Sequence, residues 1–142
     1  MDLTAGLEAS CPAEELFAWV EDLGRYPEWL EIVPRAVPED GEPGAWAVDL
    51  RGRLGPLARS KRLRMVRTLH QPPERVVFER QERDGRSHAP WVLTAEVEPT
   101  PTGSRLAMTM HYGGGLWVPL LERMLRDEIT RSRARLLAQL SG

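Results

Sequence analysis

The chain has one cysteine, one lysine (Lys61) and three histidines in 142 residues; aromatics make up only 6%, and no apolar stretch approaches a membrane span. Each shortage excludes something. A lone Cys11 forms no internal disulfide and fits a reducing compartment. It stands at a helix start, which lowers thiol pKa, but no His or Cys lies beside it in sequence to make it a nucleophile. His70, His88 and His111 include no pair at ligand spacing such as His-x-x-x-His, so no metal or other cofactor is expected. Neither Gly-x-Ser-x-Gly nor a P-loop occurs, which leaves serine-hydrolase and nucleotide readings without their motifs. A formal charge of −2 and a pI near 6.0 argue against nucleic acid as the main partner. Met1–Gly6 shows no basic segment followed by an apolar run, so the expected compartment is the cytoplasm. Arginine in great excess over lysine suggests a GC-rich bacterial source.

What is present is the content of one domain, 1–142, large enough to bury a core without metal or disulfide. Leu3, Ala5, Leu7 and Ala9 alternate with polar or small residues, the two-residue period of a half-buried strand. Pro12, Glu14 and Glu15 then open a helix whose stripe is Leu16, Phe17, Val20 and Leu23, with Gly24 as its stop. Tyr26-Pro27-Glu28-Trp29-Leu30 reads as a second, very short helix. From Ile32 on, Gly and Pro clusters recur at hairpin spacing, which calls for an antiparallel sheet. Strands are expected near Ile32–Val37, Ala45–Arg51, Leu57–Leu69, Arg75–Glu82, Ser87–Glu98 and Ser104–Tyr112. After Gly113-Gly114-Gly115, Leu116 to Leu140 reads as one long amphipathic helix with Pro119 in its first turn. Its acidic residues precede its basic ones, as the helix dipole favours.

That order of elements, with Ala9-Ser10-Cys11-Pro12-Ala13-Glu14-Glu15-Leu16-Phe17-Ala18-Trp19 leading to Tyr26-Pro27-Glu28-Trp29, resembles the START-like (SRPBCC) helix-grip superfamily. Within it the chain is similar to the polyketide cyclase/dehydrase and lipid-transport group. The resemblance implies an α+β fold: an antiparallel sheet of about seven strands wrapped around a long C-terminal helix, with two short helices after the first strand. It also implies a cavity for a small hydrophobic or amphipathic molecule.

Strand alternation assigns the concave face. Trp46, Val48 and Leu50 share it with Leu63, Met65 and Leu69, with Trp91, Leu93, Ala95 and Val97, and with Leu106, Met108, Met110 and Tyr112. The same residues would line any hydrophobic core. Arg67 is in phase with Leu63, Met65 and Leu69 and points inward if no bulge intervenes; Arg80 is in phase with Val76 and Phe78. Arg64 is outward by the same count. The terminal helix offers Leu121, Met124 and Leu125, with Glu128 and Ser132 as a polar or small break in its apolar seam. Trp29 completes the candidate ligand-binding set of Trp29, Trp46, Val48, Met65, Arg67, Phe78, Arg80, Trp91, Leu93, Met108, Met110, Tyr112, Leu121, Met124, Leu125, Glu128 and Ser132. The resemblance implies that some cyclases hold a polyketide with a cavity Arg and Tyr or Trp, which makes Arg67 and Tyr112 the catalytic candidates.

Three function classes follow: a carrier or binder of a lipid, quinone or polyketide-like molecule; a cyclase or dehydrase working in the same cavity; and a protein-binding or co-chaperone module using the outer sheet. The leading expectation is the first, a monomer or homodimer without metal, nucleic acid or membrane span.

Overall fold

A computed structural model describes residues 2–51, 60–113 and 118–140, and the side chains of all these except 60, 118–122, 124 and 125. Seven strands form one antiparallel sheet: β1 (Asp2–Ala9), β2 (Arg35–Pro38), β3 (Ala45–Arg51), β4 (Ser60–Gln71), β5 (Arg75–Arg80), β6 (Trp91–Thr100) and β7 (Gly103–Tyr112). Their spatial order is β1-β7-β6-β5-β4-β3-β2. Five of the six adjacent pairs are sequential neighbours; the sixth closes the first strand onto the last, Leu3 opposite Met110 and Leu7 opposite Leu106. Helix α1 (Ala13–Ala18) and a 3-10 helix (Leu23–Glu28) fill the connection from β1 to β2, and α2 (Val118–Gln139) follows β7. This is the helix-grip arrangement, with the long helix against the apolar face of the sheet.

The first helix is shorter than its stripe predicts. Its end tightens into three-residue bonds, Trp19 N–H to the Leu16 carbonyl and Val20 N–H to that of Phe17. Asp22 then restarts the chain, its carboxylate accepting from Gly24 N–H at 2.8 Å. Gly24 therefore lies inside the second helix and does not terminate the first. Its stripe is still buried: Leu16, Phe17, Val20, Leu23 and Tyr26 are all in the core. Tyr26 donates its hydroxyl to the Val20 carbonyl at 2.9 Å, and burial pushes its pKa up, so it remains a donor.

Strand boundaries differ from the periodicity in three places. β2 begins only at Arg35, because Pro34 supplies no N–H to the ladder, while Ile32 and Val33 are buried ahead of it in a turn. β6 begins at Trp91, after Pro90, and Ser87–Ala89 belong to the preceding loop. In β4 the register shifts between Arg67 and Leu69. Arg67 stands opposite inward-facing Phe78, but Leu69 stands opposite Val77, so the bulge turns Leu69 off the concave face and brings His70 onto it. The His70 ring stacks on Phe17 at 6.2 Å and bonds the Glu21 carboxylate at 2.8 Å. The first part of the predicted strand, 57–59, lies outside the described residues.

The junction from β1 into α1 is tight. Ser104 is fully buried and donates to the Cys11 carbonyl at 2.8 Å. Burial pushes the Cys11 thiol up, away from the thiolate that a nucleophile needs. Gly103 sits where a Cβ would meet the Ala9 carbonyl oxygen at 2.1 Å and Ser10 Cα at 2.7 Å. Both are backbone atoms and cannot rotate aside. Gly103→Ala should therefore destabilise the fold by about 1–3 kcal/mol, the usual cost of overpacking, measurable as a lowered urea midpoint at unchanged slope. An unchanged midpoint would show that the β1–α1 junction yields freely.

Candidate ligand cavity

The site is built from the inward residues of the sheet, closed by α2 on the β1 side and by the 3-10 helix and its sequel on the other. α2 is tied down near its C-terminal end. Arg135 and Arg131 reach Glu31 at 3.3 and 3.9 Å, and Gln139 donates to the Glu28 carbonyl at 3.4 Å. Leu136 is fully buried.

Under this cover are two apolar lobes. One, of about 80 Å³, lies between β1, β7 and α2, with Trp29, Met108, Met110, Ile129, Ser132 and Leu136 in its wall. The other, of about 70 Å³, lies toward β3, β4 and β6, walled among others by Tyr26, Ile32, Val48, Met65, Trp91 and Leu93. Leu30 and Met110 belong to both walls. Single-ring ligands occupy cavities of this order, whereas drug-sized molecules need several hundred Å³.

Eight of the residues singled out from sequence meet here: Trp29, Met108, Met110 and Ser132 in the first lobe, Val48, Met65, Trp91 and Leu93 in the second, with Met110 common to both. The others are placed differently. Phe78 is fully buried under Trp46 and Tyr26, with edge-on ring contacts at 5.6 and 6.2 Å, and serves as core. Tyr112 packs on Trp91 with ring centroids 4.5 Å apart. Glu128 is buried on α2 and pairs with Arg131. The side chains of Leu121, Met124 and Leu125 lie outside the described ones.

The two inward arginines have partners within the chain. Arg67 Nη1 donates to the Glu21 carbonyl at 2.7 Å, and its guanidinium lies 5.4 Å from the centre of the Trp46 ring. Arg67 and Tyr112 stand on β4 and β7, three strand spacings or roughly 14 Å apart in the sheet. Arg80, its side chain 6% exposed, holds Glu82 at 2.9 Å and the Ala89 carbonyl at 3.2 Å. Neither arginine lines a described lobe.

Sequence reasoning missed Leu30, Ile32 and Val33, because turn residues carry no periodicity. It also missed the part played by Leu3, Ala5 and Leu7 of β1, although their alternation was visible. Among the described residues, Trp91 Nε1 and Ser132 Oγ are buried polar atoms without a hydrogen-bond partner. Trp29, by contrast, donates its Nε1 to the Trp19 carbonyl at 3.3 Å. No three His, Cys, Asp or Glu side chains come together as a metal set among the described residues, and no described helix is long and apolar enough to cross a membrane.

A sheet gripping its terminal helix over an apolar cavity defines the START-like class. The comparison with known families agrees: residues 2–141 match the family model described as polyketide cyclase / dehydrase and lipid transport, and the chain belongs to that family. Among solved structures, a START superfamily protein from Mycobacterium smegmatis is similar over 97% of this chain and 95% of its own, with 14% identity and a TM-score of 0.72. The di-domain ARO/CYC BexL from the BE-7585A biosynthetic pathway matches 100% of this chain with 50% of its own, at 12% identity and a TM-score of 0.74. The AHSA1 protein from Silicibacter pomeroyi has 25% identity and a TM-score of 0.65, covering 98% of this chain and 96% of its own. No curated protein matches the chain.

The geometry around the arginines yields a stability prediction. Arg67→Met removes a charged donor from the Glu21 carbonyl and should cost about 1.5–3 kcal/mol. Arg64, outward by alternation, is nevertheless 12% exposed and bridges Glu39, Glu42 at 3.1 Å and the Gln81 carbonyl at 2.9 Å. Arg64→Met should therefore also destabilise, contrary to a neutral outer position. Urea melts of both variants decide it: a wild-type midpoint for Arg67→Met would show that its bond to Glu21 contributes nothing.

Proposed function

We propose that this protein binds a small hydrophobic molecule in the cavity between sheet and C-terminal helix. The observation that carries the reading is the pair of lobes over the concave face, one of them under α2, with described walls that are apolar apart from Ser132, Arg133 at the edge and the aromatic residues Tyr26, Trp29 and Trp91. A native core packs at crystal-like density and leaves few voids larger than a water molecule. Two adjoining voids sharing Leu30 and flexible Met110 are the shape of a site that opens around its ligand. Family membership supports the same class of function, since its description covers both cyclisation and lipid transport.

Lipid, quinone and polyketide-like compounds all fit this chemistry by their apolar bodies. The cyclase reading requires, besides a cavity, a cation to polarise a carbonyl and a group to move a proton. Arg67, the sequence candidate for the first role, is bonded to Glu21, and Tyr112 stands three strands away. Binding is therefore the function the site supports best.

Ethylbenzene is a suitable probe, because a single ring with a short tail matches the combined lobes. Titration followed by calorimetry and Trp fluorescence should give saturable one-to-one binding. Met110→Trp or Leu30→Trp, which fill the junction, should abolish it while thermal melts stay cooperative. Undiminished binding in folded junction variants would overturn the cavity as the site.

A further inference from the structure

We propose that the groove between the edge of β1 and α2 receives the carboxylate of an amphipathic ligand, held by the Arg133 guanidinium, while the ligand's apolar body fills the adjoining lobe. The inference rests on the cavity reading above and adds to it the anchoring residue and the chemical class, a monocarboxylate with a short apolar body.

The groove has a volume of about 280 Å³ and is walled by Leu3–Ala5 of β1 and by Arg126, Ile129, Thr130 and Arg133 of α2. Leu3, Ala5, Ile129 and Arg133 also belong to the wall of the lobe of about 80 Å³, so the two spaces adjoin there. Inward Leu3 and Ala5 line the groove together with outward Thr4, which places it along the edge of the strand and not on either face of the sheet. β1 ends the sheet and pairs only with β7. Alternate backbone N–H groups in this stretch therefore point away from β7, on the side of the groove.

Arg133 is the only charged side chain in the described wall of either apolar lobe. The lobe's wall is apolar, whereas the groove exposes polar surface as well, so Arg133 gives the lobe its aliphatic stem and carries its charged head outward into the groove. The residue is exposed, and among the described residues no hydrogen bond or ion pair ties its guanidinium. Arg131 and Arg135 differ in reaching Glu31, and Arg126 has contacts of its own. No Asp or Glu stands in the groove's described wall. Of the acidic side chains nearby in sequence, Asp2 pairs with His111 at 2.6 Å and Glu128 with Arg131. Asp127 is turned about 100° round the helix from Arg126, on the side away from Ile129 and the lobe. A carboxylate in the groove keeps part of its hydration and meets one unpaired guanidinium that can hold both of its oxygens. An anion deeper in the lobe would lose its water without compensation, and a neutral head in the groove gains no charge interaction. The volume of the lobe limits the ligand's body to about one ring or a short chain.

Hydrocinnamate and hydrocinnamide test this directly, because they share a ring and a two-carbon linker and differ in the charge of the head. In calorimetric titrations at low salt, wild-type protein should bind the carboxylate roughly two- to ten-fold more tightly, and the preference should shrink as NaCl is raised. Arg133→Gln should bind the two equally. Arg123→Gln, which removes an exposed cation of the same helix outside the groove's described wall, should keep the preference. In wild-type protein both probes should shift the Met108 and Met110 methyl resonances, as a ring in the adjoining lobe requires. Equal binding of both probes by wild type, or tighter binding of the amide, overturns the inference while binding of ethylbenzene leaves the cavity reading standing; binding of none of the three overturns both. A preference that survives Arg133→Gln shows that the anchor lies elsewhere, and one lost equally in Arg123→Gln shows only a general positive field; either result overturns the proposal.

Discussion

One helix cannot cover a seven-stranded sheet. Six inter-strand spacings of about 4.8 Å make a surface roughly 29 Å across, whereas a helix with its side chains is about 10–12 Å wide. The apolar face must nevertheless be shielded from water, because inward side chains from β1 to β4 and from β5 to β7 form one continuous core. The chain meets this constraint with two covers. α2 lies over the β1 side, and α1 with the 3-10 helix plugs the remainder. The lobes occur where the covers meet, and Leu30 and Met110 stand at that seam. The cavity is thus a consequence of sheet width and helix count, before any specific ligand contact is considered.

Polar groups are distributed by the same logic. On the outer face, ions pair across strands in water, as Arg62 does with Asp49 at 2.8 Å and Arg105 with Glu8 and Glu98 at 2.7 and 2.8 Å. Such exposed pairs contribute little to stability but keep the face soluble and its edges unattractive to other strands. On the inner face, charged groups have partners in the chain: Arg67 with Glu21, Arg80 with Glu82, and Glu128 with Arg131.

Much of the fold was legible from local pattern. Alternation in residues 3–9 and 104–112 gave two strands with the correct faces, and breakers at Gly41, Gly44 and Gly85 fell in turns, each with positive φ. The antiparallel order follows from hairpin-length connections. What the pattern could not give was the bulge after Arg67, since an extra residue leaves no mark in hydrophobicity, yet it reverses Leu69 and His70. The apolar wall was likewise legible at Met65, Trp91, Leu93, Met108 and Met110. Partners at long range were not: that Arg67 meets the Glu21 carbonyl depends on where α1 ends, and that end is set by Asp22 capping the next helix.

The central claim is that ligand enters between the sheet and α2. Methyl-labelled methionine NMR reports on it most directly, because Met65 lies in one lobe, Met108 in the other and Met110 between them. Titration with ethylbenzene should shift all three methyl resonances with a single saturation midpoint. Saturable binding that leaves Met65, Met108 and Met110 unmoved would place the ligand elsewhere and contradict the account.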